Sequence, residues 1–278
     1  MVILVLATGV LLAAACGGGD EARGGPPRRA ADTELLSAAD RRSFARISQQ
    51  LGGRVGVRVS GVGRRPSIER LGRLSGGVAW SSIKVPIGVA VIRRSGASRN
   101  MSLLRRAITA SDNQAAEQLW SSLGAPRTAG RAVERALAAA GDTSTKVQTR
   151  RTRAGFTSFG QTRWPLTSQQ RFVAGLPCLP ASAPILRLMG QVIASQQWGL
   201  GSSRVPARIK GGWGPDSAGR YLVRQMGLLE LPNGRTVAVS VATIPADGRY
   251  DTGVRSLTRI ARWLVQHLDV NGVPGRRC

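Results

Sequence analysis

Segments patterned as β-strands stand near both ends of this 278-residue chain, and the stretch between them, from about 101 to 200, reads as helices and loops. Residues 54–62 alternate Val55, Val57 and Val59 with Gly56, Arg58 and Ser60, the period-two pattern of a half-buried strand. Residues 68–74 offer it a hairpin partner across Gly63-Arg64-Arg65-Pro66. Residues 204–212, 221–231 and 235–244 read as three more strands, the last two joined by the turn Pro232-Asn233-Gly234. The simplest assembly is a single sheet built from both chain ends.

Helical periodicity supplies the layers. Leu35, Leu36, Ala39, Phe44, Ile47 and Leu51 place a helix over residues 33–51, capped by Asp32 or Thr33. Residues 84–93 form an apolar helix that tolerates Pro86 in its first turn. Further helices are expected over 101–119, 128–140, 183–196 and 254–268. The fold class is therefore α+β, an α-β sandwich: an antiparallel sheet covered by terminal helices, with an all-helical lobe of about residues 98–203 inserted between 33–97 and 204–278. A cleft between two such lobes is a common place for a site.

The chain is strongly basic, with 40 Lys and Arg against 15 Asp and Glu and a formal charge of +25. The arginines are dispersed along a globular composition and form no single run, so nucleic acid is not the partner expected; an anionic envelope polymer is what the charge alone suggests. Among these cations only Lys84, Lys146 and Lys210 are lysines. Arginine keeps its proton at any ordinary pH, whereas a desolvated lysine amine becomes a base, so a chain that writes its cations as arginine yet keeps lysine has a use for a titratable amine.

Residues 1–16 address the compartment. Val2 to Ala15 is apolar or small and ends in Leu11-Leu12-Ala13-Ala14-Ala15-Cys16, which resembles a bacterial lipobox whose cysteine is acylated. Ala13 and the lack of a preceding Lys or Arg depart from that pattern, and a plain cleaved signal or an uncleaved anchor are the alternatives. Residues 17–32, with a glycine triplet and Pro26-Pro27, read as a flexible tether, leaving 33–278 as the folded domain. Export would put Cys178 and Cys278 in an oxidising compartment, either as one disulfide pinning the tail or as two unrelated thiols.

The composition narrows the chemistry. His267 is the only histidine and sits on the polar side of the last helix, so a Ser-His-Asp triad is not built here, and no metal ligand set, cofactor motif or phosphate loop is apparent. A serine activated by a lysine is the remaining nucleophilic scheme. Ser81 and Lys84 lie three residues apart at a helix start, on one face, where free N–H groups favour an alkoxide. Ser111 and Asn113 flank Asp112 downstream, and Lys210 precedes Gly211 and Gly212 on a strand against whose backbone a substrate can lie.

In this order, Ser81-Ser82-Ile83-Lys84, Ser111-Asp112-Asn113 and Lys210-Gly211-Gly212 resemble the motifs of the penicillin-recognising serine enzymes, the class A β-lactamases and penicillin-binding proteins. The resemblance implies Ser81 as acylated nucleophile, Lys84 as its activator and Ser111 as proton shuttle. It implies Asn113, Lys210, Gly211 and Gly212 at the substrate, an oxyanion hole from the backbone N–H groups of Ser81 and Trp213, and a structural Asp112. β-Lactams or D-alanyl cell-wall peptides are the implied substrates. The deacylating glutamate of class A enzymes has no counterpart: its position falls on Arg151, or on Arg163 in a shifted alignment, and no Asp or Glu occurs between Asp142 and Asp216. Gly211 likewise lacks the hydroxyl of the family's Lys-Thr-Gly. A lipid-anchored serine hydrolase with poor deacylation is expected, and a non-catalytic envelope lipoprotein binding a wall peptide or protein partner is the second reading.

Overall fold

The computed structural model describes residues 1–4 and 34–278, so Cys16 and the tether lie outside the described residues. Residues 34–278 lie within one compact unit. In chain order the elements are α1 (Ala38–Leu51), β1 (Arg54–Gly61), β2 (Glu69–Gly72), β3 (Gly76–Val78), α2 (Lys84–Ser95), α3 (Met101–Thr109), α4 (Asn113–Ser122) and α5 (Pro126–Ala139). There follow β4 (Arg163–Pro165), α6 (Leu166–Gly175), α7 (Ala183–Met189), β5 (Ala207–Pro215), β6 (Tyr221–Glu230), β7 (Thr236–Ile244) and α8 (Tyr250–His267).

Strands from both chain ends do join. The main sheet runs β2-β1-β7-β6-β5 and every pairing in it is antiparallel, with Val57 opposite Val241 and Lys210 opposite Met226. Period-two alternation sorts its faces. Val55, Val57, Val59, Val237, Val239 and Val241 face α1 and α8, where the rings of Phe44 and Trp263 stand 5.1 Å apart. Ser60, Lys210, Arg224, Met226 and Ala238 alternate with them on the opposite face, across which α6 lies. Two buried glutamines of α6 bind that face: Gln170 donates to Ser60 Oγ and Ala238 O, and Gln169 donates to Ser82 Oγ.

The helical segments pack around α2, whose residues from Lys84 to Ile92 are all buried. A helix apolar on every side is a core helix. Where the helices differ from the sequence reading, local chemistry explains the change. Helix α1 begins at Ala38, because Ser37 and Asp40 form a capping box, while Leu35 and Leu36 donate their N–H groups to Glu69. The helix expected over 101–119 is broken: Ser111 has φ of +61° and Asp112 caps a new helix through Ala115 N. The one expected over 183–196 ends at Met189 and continues as a separate 3-10 turn at Ala194–Gln196. Ser81 lies in a 3-10 turn, Trp80–Ile83, ahead of α2.

Cys178 and Cys278 are joined by a disulfide across 100 residues, fixing the C-terminal tail beside the end of α6. Cross-linking so long a loop removes entropy from the unfolded chain. Cys278→Ser is expected to cost about 2–4 kcal/mol, read by denaturant unfolding, and reductant should bring the wild type down to the same midpoint.

Candidate active site

Three elements meet around two buried lysines, with Ser81 and Ser111 half-buried and Asn113 exposed. The 3-10 turn carries Ser81 and feeds Lys84 into the start of α2; the break between α3 and α4 supplies Ser111 and Asn113; edge strand β5 sends Lys210 inward. Lys84 and Lys210 are 2% and 0% exposed, whereas Lys146 is a surface residue 4.0 Å from Glu134. Two of the three lysines are thus held out of water at one place.

Their hydrogen bonds define the geometry. Lys84 Nζ donates to Ser111 O at 2.5 Å and to Asn113 Oδ1 at 2.7 Å, and stands 3.5 Å from Ser111 Oγ. Lys210 Nζ donates to Ser111 Oγ at 2.9 Å and to Gly211 O at 3.1 Å. A neutral amine has two N–H donors and one lone pair, and the two short bonds of Lys84 use both donors, which leaves the lone pair to take a proton. Burial lowers the Lys84 pKa to about 7, opposed by the Asp112 charge. Burial also holds Lys210 well below its ordinary value, and the Lys84 charge adds to that.

The left-handed φ of Ser111 turns its carbonyl and its hydroxyl to the two amines. Asp112 is tied elsewhere, capping α4 and accepting from Arg106 Nε at 2.8 Å and Nη2 at 2.5 Å. Trp80, just before Ser81, also has positive φ, +50°, and its ring packs against Phe156 at 5.2 Å. A Cβ added to Gly214 would meet that ring at 2.6 Å, so glycine there lets β5 pass the Trp80 side chain. At Gly212 an added Cβ would stand 2.8 Å from Ala79 O and 2.9 Å from Ser81 N. The strand therefore runs directly against the turn that bears Ser81, with Trp213 the next residue along. Ser81 is half-buried, and among the described residues its hydroxyl has no hydrogen-bond partner.

Gly211 is placed differently from its neighbours. It belongs to the other face of β5, where an added Cβ would be 3.0 Å from the ring of Trp198. A side chain at this position would need that indole to give way by a few tenths of an ångström. Trp198 thus fills the space beside the missing hydroxyl.

Several supporting residues escape the motif reading. Arg224 is fully buried and has no carboxylate partner among the described residues. Its guanidinium donates to Gly77 O, Val78 O, Trp164 O and Gln169 Oε1. Burial lowers its pKa to about 9, leaving it cationic at neutral pH. Gln169 donates in turn to Ser82 Oγ, and Ser82 to Ala79 O, so Arg224 braces the Ser81 turn. The sequence signal was an arginine inside the apolar run of β6. Arg153 lies 4.6 Å from the Phe156 ring centroid and donates to Pro215 O at 2.7 Å, clasping the loop before β4 to the end of β5.

Carboxylates around this region are engaged. Asp142 is buried and accepts from Trp164 Nε1, Thr145 Oγ1, Ser144 Oγ and two backbone N–H groups. Arg151 is exposed and pairs with Glu117 at 3.6 Å, and Arg163 is exposed on β4. His267 stacks on Trp263 at 4.6 Å and takes no part. Among the described residues no three His, Cys, Asp or Glu side chains stand together as metal ligands.

Comparison with solved structures agrees with this architecture. A β-lactamase from Chitinophaga pinensis matches with a TM-score of 0.66 at 16% identity, over 82% of this chain and 98% of its own. A class A β-lactamase from Bacteroides cellulosilyticus matches with a TM-score of 0.65 at 14% identity, over the same shares of the two chains. A β-lactamase from Burkholderia vietnamiensis matches at 0.62 and 21%, over 83% and 96%. No protein-family model matches the sequence, and a search of curated proteins finds no relative. The chain has the class A β-lactamase fold.

The lowered Lys84 pKa has a measurable consequence. With only three lysines, lysine-selective 13C labelling should resolve a titration with a midpoint of about 7 that disappears in Lys84→Met. Because unfolded lysine titrates near about 10.4, the folded chain binds fewer protons between about 7 and that value. Stability therefore rises with pH across the window, and Lys84→Met should reduce that rise while leaving the part that the lowered Lys210 contributes.

Proposed function

We propose that this protein is a serine hydrolase that works through an acyl-enzyme on Ser81, with Lys84 as general base. The observation that carries the reading is the pair of buried amines, Lys84 and Lys210, meeting at Ser111, with Ser81 one 3-10 turn before Lys84 and its hydroxyl bonded, among the described residues, to neither Lys84 nor Ser111. Lys84 takes the proton of Ser81 as Oγ attacks the carbonyl of a β-lactam or a D-alanyl peptide. The new C–O bond makes an oxyanion, which the backbone N–H groups of Ser81 and Trp213 receive. The C–N bond then breaks, and Ser111 Oγ passes a proton to the leaving nitrogen and is resupplied from Lys84. Asn113 holds a substrate amide while keeping Lys84 in place, and Lys210, deprotonated in the free protein, takes up a proton as it pairs with the substrate carboxylate. Gly212 lets the substrate backbone lie along β5.

Release is the weak step in this scheme. Hydrolysis of the ester needs a base for water, and the candidates are spent: Asp142 on its own loop, Asp112 on Arg106, Glu117 beside Arg151. A guanidinium at Arg151 or Arg163 cannot act as that base. The acyl-enzyme is therefore long-lived. Acylation of Cys16 would hold the domain at the outer face of a bacterial membrane, on the strength of residues 1–16 alone.

A second reading, a non-catalytic lipoprotein that binds a wall peptide, is favoured by Gly211, whose missing hydroxyl is backed by Trp198. Intact mass spectrometry with benzylpenicillin separates the two. The first reading predicts a persistent adduct on the wild type that is absent from Ser81→Ala. Failure to acylate with β-lactams and with D-alanyl peptides alike, together with unchanged peptide affinity in Ser81→Ala, would replace it by the second.

A further inference from the structure

A cavity of about 540 Å³ opens between α7, the first residues of β5, the β6–β7 turn and the C-terminal tail. None of Ser81, Lys84, Ser111, Asn113 or Lys210 lines it. Its wall carries four arginines, Arg187, Arg208, Arg235 and Arg276, above an apolar floor that includes Val62 and Leu228. The volume lies in the range that takes a small organic ligand.

The four guanidiniums are not equivalent. Arg235 is anchored by Asn271 O at 3.0 Å and by Val273 O, and Arg276 by Pro177 O. The Cys178–Cys278 disulfide holds the tail that bears Arg276. Arg208 reaches Glu230 only at 3.8 Å, with both side chains substantially exposed, and Arg187 makes no side-chain hydrogen bond among the described residues. Two arginines are thus fixed by backbone carbonyls and two have donors to spare, against a single carboxylate.

We propose that this cavity binds an organic phosphate: a phosphomonoester or diphosphate head on the arginines, with an apolar body over Val62 and Leu228. One carboxylate would leave most of the positive charge uncompensated. A phosphoryl group brings close to two negative charges and three acceptor oxygens, and planar guanidiniums bind it in a forked geometry. The apolar floor selects against a bare inorganic ion. The assignment is independent of what Ser81 does.

Titration calorimetry on the full chain in 150 mM salt tests it, with octyl phosphate as probe. Saturable binding at one site is expected, at least tenfold tighter than inorganic phosphate. Arg187→Gln with Arg208→Gln should weaken it at least tenfold. Arg127→Gln with Arg131→Gln, the same charge change on exposed helix α5, should weaken it less than twofold. All four substituted side chains are at least partly exposed, and circular dichroism checks that both variants stay folded. Displacement of the probe by vesicles containing phosphatidic acid would identify a lipid-borne phosphate as the occupant, and resistance to them a soluble one; either supports the site. Equal losses in the two variants, or no saturable binding, would overturn it, since the general charge of +25 would then account for any attraction.

Discussion

Two amines buried side by side without a carboxylate between them are the constraint around which this molecule is arranged. A charged ammonium inside protein is costly unless it is paired, and a lysine meets that cost by giving up its proton. Lys84 and Lys210 share Ser111, and each finds two acceptors, the number that a neutral amine needs. Much of the local architecture serves those four bonds. The chain takes a left-handed turn at Ser111, which breaks a helix; the N-cap of α4 occupies Asp112 and keeps its charge on Arg106; and the edge strand of the sheet delivers Lys210 from the far end of the sequence.

The turn that bears Ser81 is braced from beneath by a chain of polar contacts. Arg224 binds three backbone carbonyls and Gln169, Gln169 binds Ser82, and Ser82 closes on Ala79. Gly212 and Gly214 then let β5 come against that turn and against Trp80. A buried network of this kind rigidifies whatever it supports, although Arg224 Nε itself is left without an acceptor among the described residues. Rigid support matters here because the proposed chemistry relies on placement: a nucleophile, a base and two N–H donors must all face one carbonyl carbon.

The sequence disclosed the sheet and the lysines for physical reasons, and hid other parts for reasons just as physical. β1, β6 and β7 lie within a few residues of the strands expected, but the alternating valines of β1 do not mark a half-buried strand: its polar face, with Arg58 and Ser60, is buried as well, because α6 covers it. The scarcity of lysine drew attention to Lys84 and Lys210 because only a titratable cation is gained by departing from arginine. Helix α6 escaped because Gln169 and Gln170 point into the interior, and buried glutamines erase the amphipathic period. The break at Ser111 escaped because residues 101–119 keep helical spacing throughout; the acceptors for Lys84 come from a contact that only the folded chain makes. Trp198 behind Gly211 is likewise a tertiary fact, since the indole comes from a separate loop. The absent loop carboxylate was legible as composition, and the structure adds that Asp142, Asp112 and Glu117 are each held by other partners.

Lys84, which a pKa of about 7 leaves largely but not wholly neutral at physiological pH, is the base proposed for the Ser81 proton. The rate of Ser81 acylation, followed against pH by rapid-quench mass spectrometry, tests that role most directly. With Lys84 as the base, the rate should climb with a midpoint of about 7, level off above it, and be abolished in Lys84→Arg, since a guanidinium does not give up its proton. A rate that is flat from pH 5 to 9, or that survives the arginine, would contradict it.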